Sequence, residues 1–179
     1  LAGVVTEPIQ SDGGDVIPPD NVLPAIRKLC DRAGAWLGLD EVKVGLGRTG
    51  SLLAHDRASV RPDAIAFGKA LGGGFPLSAL VARREIVDAE TGACAYTLAG
   101  SPVACAAGLA SWDELESGAI ANAAAVGATL AAELEARLAP FGIVGDVRCR
   151  GLLAGIEIVA GPDSNEPAGR QAAAIVYRC

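Results

Sequence analysis

The sequence predicts an α/β fold built on a mostly parallel sheet, followed by part of a smaller α+β domain. Over residues 1–120, short apolar runs of strand character alternate with a helical pattern or with long glycine-rich loops, which favours parallel pairing. A long Ala-rich helical stretch then leads to two apolar runs that resemble a β-pair. With 179 residues, 51% of them hydrophobic, the chain is long enough to bury a substantial core. We expect the domain boundary near residue 120, which gives parts of 1–120 and 121–179.

The first part is predicted to alternate between strands and one clear helix. The apolar run 1–6 and the run 35–39 predict buried strands. Apolar residues at helical spacing predict a helix from residue 22 to about Gly34, with Asp20 or Asn21 as its N-cap. Two more strands are predicted at 64–67 and 77–82.

The second part is predicted to be helical before it returns to strands. Helical patterns cover 101–116 and 119–138, and Pro140 and Gly142 end the second of them. The β-pair is expected at 143–149 and 152–159. A polar loop and a further helix from Ala168 follow.

Composition and charge argue against several classes of protein. The net charge is −6 and lysine occurs only at positions 28, 43 and 69, so nucleic-acid binding is not expected. No apolar run reaches about 18 residues, so no membrane association is expected. The five cysteines are far apart and odd in number, which argues against a disulfide framework or a metal site and favours a cytoplasmic location. Leu1 and Cys179 both fall inside element-like patterns, so we expect an internal fragment.

Lys69 is the strongest candidate for chemistry. It follows the predicted strand 64–67 between Gly68 and Ala70, and three glycines come directly after Leu71. We expect this apolar, tightly turning segment to bury Lys69, and burial favours the neutral amine that forms a Schiff base with an aldehyde cofactor. The alternative is a lysine that donates hydrogen bonds to carbonyl groups at the end of a strand.

Asp40 is the second candidate because it ends the run 35–39. A buried carboxylate needs a partner, and a protonated pyridine nitrogen would be one. The alternatives are an ion pair with Arg48 or a hydrogen bond within the loop. Because ligands of parallel sheets lie beyond the carboxyl ends of the strands, we expect Asp40 and Lys69 at one edge of the sheet.

Four segments resemble the class III aminotransferases, a family that depends on pyridoxal 5'-phosphate (PLP). They occur in the family's order and at similar spacing, and the resemblance is strongest from Gly3 to Ala107. The segments are Glu7-Pro8-Ile9-Gln10, Leu39-Asp40-Glu41-Val42, Gly45-Leu46-Gly47-Arg48-Thr49-Gly50 and Gly68-Lys69-Ala70-Leu71-Gly72-Gly73-Gly74 with Pro76-Leu77.

The resemblance implies a role for each matching residue. Lys69 would bind the cofactor aldehyde and later move the Cα proton, Asp40 would pair with the pyridine nitrogen, and Val42 would pack on one ring face. Thr97 matches a threonine that binds the cofactor phosphate of the neighbouring subunit, which implies a homodimer with shared active sites. Without the resemblance, Thr97 is an ordinary loop or helix-entry residue.

Two positions indicate a subgroup. The family usually has Gln where this chain has Lys43, and Lys43 together with Asp12 is similar to α-amino-ε-caprolactam racemase and related amino-acid racemases. That resemblance implies that Lys43 approaches the phenolic oxygen of the cofactor and that Asp12 lies near the amide nitrogen of the substrate. The alternatives are a surface ion pair of Lys43 with Glu41 or Asp12, and an ordinary turn role for Asp12.

The implied activity is transamination or racemisation of an amino acid or amino-acid amide, with a keto acid as amino acceptor in the first case. In some family members the residue matching Glu7 pairs with a distant arginine. His55, the only histidine, is expected to face solvent. The family's phosphate-binding loop and ring-stacking aromatic are not matched here, so the alternative is a truncated, non-catalytic fragment that retains the fold.

Overall fold

The main sheet contains four strands, and most of its pairing is parallel. The computed structural model describes residues 1–88, 93 and 96–179. In these, β1 (Gly3–Thr6) pairs with β2 (Trp36–Asp40) and β2 with β3 (Ala64–Phe67) in parallel, whereas β4 (Ala79–Ala82) pairs with β3 antiparallel. The predicted α/β fold with a mostly parallel sheet is therefore confirmed. The spatial order of the strands is β1-β2-β3-β4.

Five α-helices and a separate β-hairpin form most of the remaining regular structure in the described residues. The hairpin consists of β5 (Val144–Arg150) and β6 (Leu153–Ile158), paired antiparallel. All the predicted helices and strands are present, although the strand predicted at 77–82 begins only at residue 79. In the described ranges no helix is both long and apolar enough to span a bilayer. The helices are α1 (Val22–Ala33), α2 (Arg84–Val87), α3 (Pro102–Glu114), α4 (Ile120–Leu138) and α5 (Gly169–Val176).

The main core lies between α1 and β2. Leu37 and Leu39 of β2 are 0% and 1% exposed, and Leu23 and Cys30 of α1 pack against them. The C-cap Gly34 has a φ of 62°, and its N–H donates to the carbonyls that end α1. The predicted burial of the first strand is wrong: Val5 is 80% exposed, and only the opposite face of β1, with Val4, packs against the core.

Asp63 joins α1, β2 and the end of β4 at the buried entrance to β3. Its carboxylate accepts hydrogen bonds from Leu37 N–H and Arg27, and it forms an ion pair with Arg83 at 2.9 Å. Asp63 as a whole is only 4% exposed. Burial alone would raise the pKa of Asp63, but the Leu37 N–H and the two guanidinium groups outweigh burial and hold the pKa below its usual value.

Stability is therefore expected to depend on pH through Asp63. Because the pKa of Asp63 is lower in the folded state, its contribution to the free energy of unfolding is complete above the unfolded-state pKa of about 3.9. The contribution is lost as the pH falls through the folded-state pKa. The Tm difference between the wild type and Asp63→Asn should be constant near neutrality and should narrow in acid. Thermal unfolding at a series of pH values measures it, and a difference that stays constant across the acid range would contradict the assignment.

The turn of the β5–β6 hairpin is enclosed between α4 and the loop at residues 48–50. A Cβ on Gly127 of α4 would lie 2.3 Å from the carbonyl oxygen of Gly151, and a Cβ on Gly151 would lie 2.4 Å from the carbonyl carbon of Thr49. Gly151 also has a φ of 56°, and Leu152 N–H donates to Arg48 O at 2.9 Å. Side chains are excluded from this backbone contact, which we call the glycine contact.

Gly127→Ala should destabilise the protein by up to about 2 kcal/mol. Overpacking costs about 1–3 kcal/mol, and the gain that alanine brings to a helix interior offsets about 1 kcal/mol of that cost. Chemical denaturation measures the change in the free energy of unfolding. Gly169→Ala in α5 is the control, because a Cβ there meets nothing within 4 Å. Equal stability of the two variants would disprove the contact.

Candidate active site

The carboxyl ends of β2 and β3 bring the two strongest candidates to one edge of the sheet. Asp40 is the last residue of β2 and is in register with Ala66 of β3. Lys69 follows the end of β3 by two positions. The edge predicted from the sequence is therefore observed.

Lys69 begins a tight turn. It is the first residue of a 3₁₀ helix, Lys69–Gly72, and its own φ is 45°, which is uncommon for a residue other than glycine. Strained backbone of this kind clusters at functional sites. The turn was predicted correctly, but the predicted burial is wrong. Lys69 is exposed, and its amine makes no ion pair with any of the described residues.

The cavity at Lys69 has a volume of about 460 Å³. Val42 and Lys43 line it together with Lys69, so three of the predicted site residues share one space. Val42 also lies against the exit of β3: a Cβ on Gly68 would lie 3.2 Å from its Cγ1. Most of the remaining lining residues come from the loop after Lys43 and from the hairpin, among them Arg48, Leu152 and Leu153.

Asp40 faces a different cavity. Its carboxylate accepts a hydrogen bond from Val42 N–H at 2.9 Å, which is the loop hydrogen bond considered as an alternative. Asp40 is half-buried rather than buried, and it forms no ion pair with Arg48 in the described part of the chain. It lines a cavity of about 590 Å³ with Thr6 and Glu7. Asp40 and Lys69 thus share an edge of the sheet but do not line one cavity.

Lys43 is held by two aspartates from the loop after β1. Its Nζ lies 3.2 Å from Asp15 Oδ1 and 3.8 Å from Asp12 Oδ1. The ion pair with Asp12 was one of the alternatives, whereas Asp15 was not singled out from the sequence. The sequence feature that marks Asp15 is the Gly13-Gly14 pair before it, which predicts a turn. In the structure Asp15 has a φ of 50°. The Asp12 side chain itself is 99% exposed.

The hairpin holds this loop in place. Arg148 of β5 donates to Gly14 O at 2.9 Å, and Gly155 of β6 packs against Asp15, where a Cβ would lie 3.0 Å from the Asp15 Cβ. Hydrogen bonds to Glu157 and Asp146 raise the pKa of Arg148 above its usual value, so this anchor is a permanent cation.

The expectation that His55 faces solvent is wrong. His55 is 5% exposed, and its Nδ1 lies 2.7 Å from Oε1 of Glu41, whose own exposure is 1%. Sequence position gave no signal for this pair, because residues 41 and 55 lie 14 positions apart in a stretch without periodicity.

Two other predicted residues lie at the margin. Glu7 is half-buried and accepts hydrogen bonds from the N–H and hydroxyl of Ser11. Thr97 is exposed in a turn whose neighbours Tyr96 and Leu98 line a third cavity, of about 770 Å³, that Val42 also reaches. Thr97 does not line the cavity at Lys69.

The family model described as Aminotransferase class-III matches residues 1–178. The chain belongs to the class-III aminotransferases. This family depends on PLP, so the family and cofactor predicted from the sequence are confirmed.

Relatives within the class-III aminotransferases carry out more than one reaction. The chain is 38% identical to a 5-aminovalerate aminotransferase of Pseudomonas aeruginosa, with 99% of this chain and 42% of that protein covered. It is also 38% identical to a leucine/methionine racemase of Thermococcus litoralis, with 99% and 41% covered. The chain therefore spans about two fifths of the length of these relatives.

Solved aminotransferase structures have the same fold over the matched residues. A Bacillus anthracis aminotransferase superimposes with a TM-score of 0.89 at 34% identity, covering 99% of this chain and 42% of that one. An ornithine aminotransferase of Toxoplasma gondii, whose active site holds PLP at partial occupancy, gives a TM-score of 0.83 at 34% identity and covers 87% and 38%.

Proposed function

We propose that the whole protein is a PLP enzyme that acts on the amino group of amino acids or amino-acid amides. The observation that carries this proposal is the amine of Lys69. It lies at the carboxyl end of β3, unpaired among the described residues and beside Val42, in a chain that belongs to the class-III aminotransferases.

The residues present fit the cofactor. A primary amine on a tight turn is a suitable partner for an aldehyde, and the apolar surface of Val42 beside it suits one face of an aromatic ring. Gly68, which precedes Lys69, packs closely against Val42, and a side chain at this position would contact Val42. When bound, PLP supplies an aldehyde that bonds to amines and a ring that accepts electrons.

Each residue then has a defined task. Lys69 Nζ would hold the cofactor, and the same amine, once displaced by substrate, would take the Cα proton and return it. Asp40, at the same edge of the sheet, would pair with the pyridine nitrogen, and Val42 would pack on one ring face. Lys43, held by Asp15, would place a positive charge near the phenolic oxygen.

Racemisation and transamination use the same residues and differ in where Lys69 returns the proton. Return of the proton to the opposite face of Cα would give the other enantiomer, whereas a proton that is not returned to Cα would lead to amino transfer. The racemase resemblance of Lys43 and Asp12 favours racemisation, and Lys43 does line the Lys69 cavity. The ion pair between Asp12 and Lys43 is the alternative considered from the sequence and does not add to that support. Sequence identity does not discriminate, because the aminotransferase and the racemase are equally similar.

The test incubates the full-length protein with one enantiomer of an amino-acid amide, with and without a keto acid. Loss of optical activity without the keto acid supports racemisation, and product that requires the keto acid supports transamination. Absence of both reactions, with amino acids as well as amides, would contradict the proposal and favour the non-catalytic alternative. The isolated residues 1–179 are expected to show little turnover in the same assay.

We also propose a cytoplasmic homodimer in which Thr97 binds the cofactor phosphate of the neighbouring subunit, as the family resemblance implies. The exposed position of Thr97 supports this role. The chain is proposed to divide into 1–120 and 121–179. Support comes from the π-helical segment Leu115–Ala119 between α3 and α4, in which Gly118 has the non-helical φ of 132°.

A further inference from the structure

The buried pair of Glu41 and His55 has no part in the functions assigned above. The Glu41 side chain is 0% exposed, and its carboxylate accepts three hydrogen bonds: from Ala54 N–H, from His55 N–H and from His55 Nδ1. A buried carboxylate is tolerated only when donors satisfy it. All three donors come from one short segment, the 3₁₀ helix Ala54–Ala58.

Glu41 lies between two residues of the proposed site. Asp40 precedes it and Val42 follows it, and Asp40 accepts the hydrogen bond from Val42 N–H across it. The backbone of Glu41 is fixed as well, because its N–H donates to Ala66 O of β3 and its carbonyl accepts from Gly45 N–H, each at 3.0 Å. The segment from Asp40 to Val42 is therefore held at Glu41 by hydrogen bonds of both its backbone and its side chain.

The surroundings of Glu41 pack closely against it. A Cβ on Gly45 would lie 2.8 Å from Glu41 O and 2.9 Å from Glu41 Cβ, so the following loop packs directly against this residue. On the other side, Ala54 belongs to a buried cluster with Ile9, Val44 and Leu153. The anchor of the carboxylate is thus part of a packed core.

We propose that Glu41 is a positioning residue, anchored by His55, that fixes Asp40 and Val42 relative to Lys69. This inference rests on the proposed function and deepens it. Groups that contact a ligand keep their geometry only when a supporting layer of hydrogen bonds holds them. Loss of the pair should allow Asp40 and Val42 to shift, and the cofactor should bind less tightly even though neither Glu41 nor His55 touches it.

Three variants of the full-length protein test this. Glu41→Gln keeps the size of the side chain but points an amide NH₂ toward N–H donors. His55→Leu removes the Nδ1 donor, whereas His55→Asn places an amide NH₂ near the same position and should restore the bond. We measure the affinity of each apoprotein for PLP by titration, together with its Tm. We expect affinity about tenfold weaker for Glu41→Gln and His55→Leu, the usual effect of losing a charge-assisted hydrogen bond, and close to wild type for His55→Asn.

Val159→Ala is the matched control, because it removes buried apolar volume from the end of the hairpin, away from the pair. A purely structural role of Glu41 predicts that PLP affinity follows Tm in all variants, including this control, and that result would overturn the inference. Unchanged affinity in both Glu41→Gln and His55→Leu would overturn it too. If Glu41→Gln does not fold, the two His55 variants decide. A wild-type protein that binds no PLP would instead contradict the proposed function itself.

Discussion

Lys69→Ala should abolish covalent attachment of PLP to the full-length protein and lower turnover by at least about a thousandfold. The reason is that one amine holds the cofactor and also moves the Cα proton, and a positioned acid–base group alone contributes about 10²–10⁴ in rate. Reduction with borohydride followed by peptide mapping locates the attached cofactor. In the wild type we expect it on the peptide that contains Lys69.

Lys28→Ala is the control for this experiment. Lys28 is exposed on α1, away from the carboxyl ends of β2 and β3, so its loss should change neither labelling nor rate. Label that persists in Lys69→Ala would contradict the central assignment, as would wild-type label on any other lysine.

Asp63→Ala should destabilise the protein by about 3–5 kcal/mol, the usual cost of removing one partner from a buried ion pair. The substitution leaves Leu37 N–H without its acceptor and removes the partner that Arg27 and Arg83 share. Chemical denaturation measures the loss in the free energy of unfolding.

Asp31→Ala provides the comparison, because Asp31 pairs with the same Arg27 but its side chain is 63% exposed. An exposed pair contributes about 0–1 kcal/mol, so this variant should stay close to wild type. Similar losses in the two variants would show that Asp63 does not connect the elements as described.

The elements with strong periodic patterns could be predicted from the sequence alone. The strand at 64–67 was predicted at its observed bounds, and the helix before Gly34 ends at the expected left-handed residue. These features are local, because the spacing of apolar residues and the identity of turn residues determine them. The short helices at 54–58 and 84–87 were missed because four or five residues carry no period.

The candidate site was predicted only in part. Sequence reasoning found Lys69, Val42 and Lys43, which line one cavity, because motifs and strand ends mark them. It missed Asp15 and placed His55 in solvent, since both contacts depend on how distant loops fold together. Burial of Lys69 was also expected wrongly: a turn of small residues predicts backbone shape, but the exposure of a side chain depends on what covers it.

The glycine contact couples the hairpin to the candidate site mechanically. The β5–β6 turn cannot slide, because backbone meets backbone on both of its sides, and the adjoining Leu152 and Leu153 form a wall of the Lys69 cavity. A ligand that displaces Leu152 or Leu153 should therefore also displace the backbone near Arg48 or the α4 helix. Ligand binding in the Lys69 cavity should therefore change the hydrogen-exchange protection of the α4 backbone amides around Gly127.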